Sequence, residues 1–192
     1  MDKRPIFRRE IVDLPDLKFI QVAIHRFRLP NGEEGQWNSM YFPEEITDVA
    51  TVAMTPQGKI VLVRMFRFAI ADWSTELPGG MTGPGEDFAT AARRELLEET
   101  GYDTREPFEE LFRIYSYPGR LNTPAVIFLA RNCERVQDPQ LDDVEGFTGL
   151  EAIEQSPDEI MRNIFSGNPT YSLLISRAMI CLFGRGIVQI EA

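Results

Sequence analysis

The sequence predicts an α+β protein, with helices packed on a mixed β-sheet and a small strand-only piece ahead of them. Three observations carry this. Strand-like runs separated by turn signals dominate the first half of the chain, the stretch 86–100 holds no Pro or Gly and reads as a central helix, and two more helical stretches close the chain. At 192 residues, with 43% apolar and 26% charged side chains, the chain can bury one real core and carry a small appendage. The reading divides it into an N-terminal β subdomain, 1–45, and a main domain, 46–192.

In chain order, residues 20–29 partly alternate apolar and polar, and Pro30-Asn31-Gly32 supplies a hairpin turn. This first piece is too small to bury a core alone and should pack on the rest of the chain or on a second subunit. Residues 48–54 and 59–68 are two strand-like runs split by Pro56-Gln57-Gly58. Gly79-Gly80 and Pro84-Gly85 then mark a loop before the helix 86–100, which is rich in Ala, Leu, Glu and Arg and has Gly101 as its natural stop. Strands are expected near 112–115 and 125–130, and helices near 156–165 and 171–183.

Composition removes several function classes. The net charge of −10 argues against a nucleic-acid backbone as the main partner, because phosphate tracking needs clustered Lys and Arg. It leaves room for a small phosphate substrate, since divalent ions turn carboxylates into a phosphate-binding surface. Cys133 and Cys181 are far apart and read as reduced, partly buried thiols. His25, the one histidine, lies in an alternating strand-like run, which argues against a zinc site or a His-based triad. No apolar run reaches the roughly 20 residues that span a bilayer, so no membrane partner is expected. Met1-Asp2-Lys3-Arg4-Pro5 leads into charges and not into an apolar signal segment, so a cytoplasmic location is the expectation.

The central helix carries the chemistry. On a wheel of about 100° per residue, Phe88, Ala91, Ala92 and Glu99 all fall within about 60° of Glu95. Glu98 flanks that face, and Leu97 points nearly the other way. An ordinary solvated helix would put its carboxylates opposite the apolar stripe, paired with Arg93 or Arg94. Here two carboxylates share the face that should pack inward. Like charges at i,i+4 repel and are costly to bury unpaired, and a hard cation coordinated by both removes that cost.

The spacing makes this specific. Gly80, five residues, Glu86, seven residues, then Arg94-Glu95-Leu96-Leu97-Glu98-Glu99-Thr100-Gly101-Tyr102 resembles the Nudix box over 23 residues, with Tyr102 the loosest fit. The resemblance implies an α/β/α sandwich with a mixed β-sheet, and Mg²⁺-dependent hydrolysis (Mn²⁺ as substitute) of nucleoside diphosphates linked to a second group. It also implies roles: Glu95 and Glu99 as metal ligands with Glu98 on the same cluster, and the backbone carbonyl of Gly79 as a further ligand. Glu86, at the helix start where it suits the dipole, and Arg94, orienting a neighbouring carboxylate, would hold the motif together. The reaction would be phosphoryl transfer to water by positioning and charge stabilisation.

Beyond the box, the chain is similar to the ADP-ribose and nucleotide-sugar pyrophosphatase branch. Residues 61–68 and 73–80 resemble that branch's approach to the box, and Pro118 lies sixteen residues after Tyr102, a position linked with ADP-ribose-type substrates. The N-terminal piece resembles the domain that the branch exchanges between subunits of a homodimer. By this resemblance Arg67 contacts a substrate phosphate, whereas Arg64 is more simply a polar strand position. Met81, Pro118 and Gly119 line the sugar side, and Trp37 stacks on a base or packs at an interface. Where the branch often shows an acid after Pro-Gly, this chain has Arg120, which would meet a phosphate or sugar. The branch's mobile-loop glutamate has no clear match in 138–145. Asp142 or Glu145 is left as base or extra ligand, each with a solvated loop acid as the alternative, and Glu98 is the base if neither enters the site. A Nudix hydrolase of nucleoside triphosphates or dinucleotide polyphosphates, and a module that binds nucleotides without cleaving them, remain open alternatives.

Overall fold

The structure, a computed structural model, describes residues 7–12, 20–42 and 46–189. The boundary expected at residue 45 and the opening residues 1–5 lie outside these. Three strands, β1 (Phe7–Val12), β2 (Gln21–Arg28) and β3 (Glu34–Tyr41), form an antiparallel sheet, with β2 and β3 joined by the turn expected at Pro30-Asn31-Gly32. This sheet buries little: Ala23 is enclosed, while Phe7, Ile11, Trp37 and Met40 are exposed. As its size suggested, it leans on the rest of the chain. Met40 N–H donates to Arg120 O at 2.7 Å, and Asn122 bonds both backbone groups of Phe42.

The main domain is built on β4 (Asp48–Met54), β5 (Ile60–Arg67), β9 (Glu109–Ile114), β10 (Ala125–Ala130) and β12 (Glu151–Gln155), in the order β12-β5-β4-β10-β9. Only β4 and β10 run parallel, so the sheet is mixed. Helix α1 (Phe88–Thr100) covers one face; α3 (Pro157–Phe165) and α4 (Leu173–Gly184) cover the other. The strand period of two sorts the side chains. Val49, Ala53, Val61, Val126 and Ala130 meet Ala91, Ala92 and Leu96 of α1, while Val52, Leu62, Ile127 and Leu129 meet Ile160, Ile175, Met179 and Leu182. Ala125–Ala130 is buried at every position, as a strand covered on both faces must be. Among the described residues no helix is long and apolar enough to cross a membrane.

The sheet forks. Strands β4 and β5 share only two residue pairs, Ala53 with Val61 and Met54 with Ile60, and then diverge. Strand β6 (Asp72–Glu76) fills the β5 side, and β7 (Gly79–Met81) fills the β4 side. Between them Pro78 O accepts the Thr51 N–H at 2.9 Å. A side chain at Gly79 could not follow this path, since its Cβ would lie 2.1 Å from Val49 O. The short strands β6, β7, β8 (Tyr102–Asp103) and β11 (Glu134–Arg135), and the five-residue helix α2 (Asp143–Phe147), were not individually expected. The strand expected near 112–115 starts three residues earlier and ends one residue earlier, at an edge carrying Glu109, Glu110 and Arg113. His25 bonds Ser39 Oγ at 2.8 Å within the N-terminal sheet, and both cysteines are free thiols.

Leu96 is fully enclosed where α1 meets β4 and β5. Leu96→Ala should lower unfolding stability by about 2–5 kcal/mol, measured as a fall in the denaturation midpoint at an unchanged m-value.

Candidate active site

Helix α1 is anchored at both ends by the chain's own chemistry. Asp87 is its N-cap, accepting from Ala89 and Thr90 N–H at 3.1 Å each, and Gly101 closes it at φ 74° with its N–H on Leu97 O. The helix therefore starts two residues later than expected, and Glu86 lies ahead of the cap, not in the first turn. The dipole account of Glu86 is replaced by direct contacts. Arg94 Nε and Nη2 reach its two oxygens at 3.0 and 3.1 Å, and Gly83 N–H adds a third bond at 2.8 Å. Those bonds, Arg94 first and Gly83 second, hold the Glu86 carboxyl below its usual range. Arg94 also donates to Met81 O at 3.2 Å, Glu95 at 2.8 Å and Glu98 at 3.1 Å. One guanidinium thus clamps the loop to the helix and orients a buried carboxylate.

Glu95 and Glu99 are buried, at 9% and 5% exposure, on the face the wheel gave them. They lie against the fork. Gly79 N–H donates to Glu99 Oε2 at 2.8 Å, and a Cβ at Gly80 would come within 2.8 Å of the Glu95 carboxylate. Glu145 of α2 completes a triad: one oxygen from each of Glu95, Glu99 and Glu145 lies within 4.8 Å of the others. Two full charges at that distance repel by about 3–4 kcal/mol at an effective dielectric of about 20. Burial pushes the Glu99 carboxyl up to about 8, the charges of Glu95 and Glu145 add to this, and the Gly79 N–H opposes it. Burial also raises Glu95, against the pull of Arg94. Such a set must take up protons or a cation, and its hard oxygen donors suit a divalent ion. Glu98, implied to join the same cluster, is turned to Arg94 in this structure and is not one of the three. The backbone N–H groups of Val144 and Glu145 donate to Asp142 Oδ1 at 2.8 and 2.7 Å.

A cavity of about 570 Å³ opens over the triad, lined by Arg67, Glu76, Met81 and Val144 among others. Arg67 pairs with Glu76 through Nε and Nη2 at 2.9 and 2.8 Å. Burial alone would raise Glu76, but the bonds from Arg67 outweigh it and hold the carboxyl below its usual range. Arg64 instead bonds Glu151 at 3.1 Å and lies over the Trp73 ring, a structural role. The remaining expected substrate residues fall elsewhere. Trp37, Pro118 and Gly119 line a separate cavity of about 460 Å³ against the N-terminal sheet. There Trp37 Nε1 donates to Gly119 O at 2.8 Å, and Arg120 lies 5.0 Å over the Trp37 ring while bonding Asn38 O. Within one chain, then, Arg67 and Met81 meet the glutamates, and Trp37, Pro118, Gly119 and Arg120 do not.

A profile described as the NUDIX domain matches residues 45–171, more than half of the chain. The chain belongs to the NUDIX family. It is a Nudix hydrolase, a pyrophosphatase. Nudix enzymes use divalent metals, and the buried glutamate cluster can hold one. It is similar to an ADP-ribose pyrophosphatase of Bacillus subtilis (strain 168), 27% identical over 89% of this chain and 88% of that one. It is also similar to a methanol dehydrogenase activator of Bacillus methanolicus, at 29% over 77% and 76%. An ADP-ribose pyrophosphatase of Saccharomyces cerevisiae is 30% identical over 64% of this chain and 56% of its own. A crystal structure of an ADP compounds hydrolase superposes with a TM-score of 0.78 at 20% identity, covering 97% of this chain and 98% of that one, which places the fold.

Two features of this Nudix site are poorly visible in the sequence. Glu145 was one of two loop candidates, and the pattern Asp142-x-x-Glu145 is a capping-box signal that marks a helix start. The Arg67–Glu76 pair joins neighbouring strands and is visible only once β5 and β6 are in register.

Glu99→Gln keeps the side-chain volume and removes a buried charge, so the folded protein should persist while turnover falls by about 100-fold or more, judged by steady-state rates beside a melting curve. The pH dependence follows from the raised Glu99 carboxyl. Between about pH 5 and 8 the folded metal-free protein holds a proton that the unfolded chain releases, so its stability falls as pH rises through that window. A divalent ion replaces the proton, so the gain in melting temperature on adding Mg²⁺ should grow from pH 5.5 to pH 8. A gain independent of pH would contradict this.

Proposed function

We propose that the chain hydrolyses the diphosphate linkage of ADP-ribose or a related nucleoside diphosphate sugar, with Mg²⁺ as the cation and Mn²⁺ as substitute. The products are a nucleoside monophosphate and a sugar phosphate. The observation that carries this is the Glu95–Glu99–Glu145 triad at the floor of a cavity whose rim holds Arg67. The ADP-ribose pyrophosphatases among the relatives, at 27% and 30% identity, support the substrate class.

In this reading Glu95, Glu99 and the Gly79 carbonyl hold the cation, which when bound neutralises the diphosphate and makes a water acidic enough to attack. Glu145, brought in by α2, takes the proton of that water or completes the ligand set. Arg94 fixes the Glu95 carboxylate, keeps Glu98 beside it and ties down the loop through Glu86. Arg67, already aimed by Glu76, meets a phosphate oxygen, and Met81 lies on the sugar side. The N-terminal β subdomain expected over 1–45 serves for dimerisation of the hydrolase domain 46–192. Its exposed Phe7 and Trp37 favour covering by a second copy, which would bring Trp37, Pro118, Gly119 and Arg120 to a substrate shared between subunits.

The deciding experiment is a substrate panel with Mg²⁺, scored by product chromatography. Turnover of ADP-ribose or nucleotide sugars to two monophosphates is expected; turnover of triphosphates alone would refute the proposal, as would tight ADP-ribose binding without hydrolysis. Arg67→Ala should raise KM for the diphosphate substrate roughly 10- to 100-fold, the worth of one charge-assisted contact. Light scattering should give a dimer, and a monomer at assay concentration would remove the subunit-exchange part.

A further inference from the structure

Helix α2 is too short to stand by itself. It has five residues and buries none of them, with Val144 61% and Phe147 80% exposed. Its flanks are tied down. On one side Gln140 N–H donates to Glu98 O at 2.7 Å, and Leu141 packs against Val63, Met65 and Leu150. On the other, Phe66 N–H donates to Thr148 O at 3.0 Å, and Phe147 stacks on Phe68. Between these anchors the turn is shaped by one reciprocal device. Asp142 Oδ1 accepts the N–H groups of Val144 and Glu145, and Glu145 Oε2 accepts the Asp142 N–H at 2.8 Å.

That device acts on the residue that faces Glu95 and Glu99. Three carboxylates that close repel, and an unrestrained Glu145 would swing into solvent before a cation arrives. The capping box opposes this from both sides: Asp142 fixes the backbone from which Glu145 projects, and its own N–H fixes one Glu145 oxygen. Asp142 also lines the cavity over the triad, but it is not one of the three close carboxylates, and its Oδ1 is taken up by the two N–H groups.

We propose that Asp142 is a positioning residue, the N-cap that aims Glu145 at the cation site, and neither a metal ligand nor the base. This rests on the reading in which Glu95, Glu99 and Glu145 hold the divalent ion. The mechanism makes a distinctive demand: shape matters at residue 142, and charge does not. Asn and Ser cap as well as Asp, and Ala does not.

The test titrates Mn²⁺ alone into the full-length protein, following free Mn²⁺ by electron paramagnetic resonance, and then measures kcat on ADP-ribose. Asp142→Ala should weaken Mn²⁺ binding about 2- to 30-fold, the range a lost cap spans. Asp142→Asn and Asp142→Ser should stay within about threefold of the parent. Asp142→Ala placed on Glu145→Gln should add little to the loss from Glu145→Gln alone, because the two act in one chain of contacts. If Asp142→Asn loses as much as Asp142→Ala, the charge itself is used and the proposal is wrong. Unchanged Mn²⁺ affinity in a folded Asp142→Ala protein also overturns it, and the Asn variant keeps the question answerable should the Ala variant not fold. Glu99→Gln is the separate control: undiminished Mn²⁺ binding by that variant would refute the cluster reading beneath the proposal.

Discussion

Two like charges on the inward face of one helix are the constraint around which this molecule is arranged. Glu95 and Glu99 occupy the stripe that also holds Ala91, Ala92 and Leu96, where a helix on a sheet would ordinarily carry small or apolar side chains. The fold accommodates them by withholding a strand surface beneath them. Where the stripe reaches the glutamates, β4 and β5 have already parted, and the floor is the glycine backbone of β7. Gly80 leaves room for one carboxylate, and Gly79 gives its N–H to the other.

The surrounding charges divide into two kinds. Arg94 and Glu86 form a doubly bonded, partly exposed pair that fastens the loop to the helix, from which Arg94 also reaches Glu95 and Glu98. Arg67 and Glu76 form a second pair at the cavity rim, where fixing the guanidinium lowers the ordering cost of meeting an anion. The triad itself has little cationic compensation: Arg94 reaches Glu95 alone among the three, and Glu99 has a single backbone donor. A deficit of positive charge in a buried site is what a divalent ion supplies.

Much of this was legible in the sequence where signals are local. The helix stands out by its freedom from Pro and Gly and its Gly101 stop, the strands 48–54 and 125–130 by their apolar runs, and the inward turn of Glu95 and Glu99 by angular arithmetic. The rest depends on tertiary placement. β6 and β7 are too short to carry a period and exist because the forked strands need partners. Glu86 lies outside the helix because Asp87 caps it, and its bonds to Arg94 and Gly83 depend on the path of the loop. Asp142 and Glu145 are acids of one loop, and although their spacing marks a helix start, only the folded turn shows that Glu145 joins Glu95 and Glu99. Trp37 and the 118–120 segment were grouped with Arg67 by resemblance, but a single chain keeps them apart.

The forked sheet has a consequence for how such a protein can change over time. The floor under the glutamates is main chain, held by ladder bonds and by the absence of side chains at two glycines. The rim opposite it carries side chains from β5 and β6, Arg67 and Glu76 among them. Mutation can therefore rework the rim one residue at a time, altering which molecule is admitted, while the floor tolerates almost nothing. Selectivity and reactivity are written in separate parts of the chain and are free to drift at different rates.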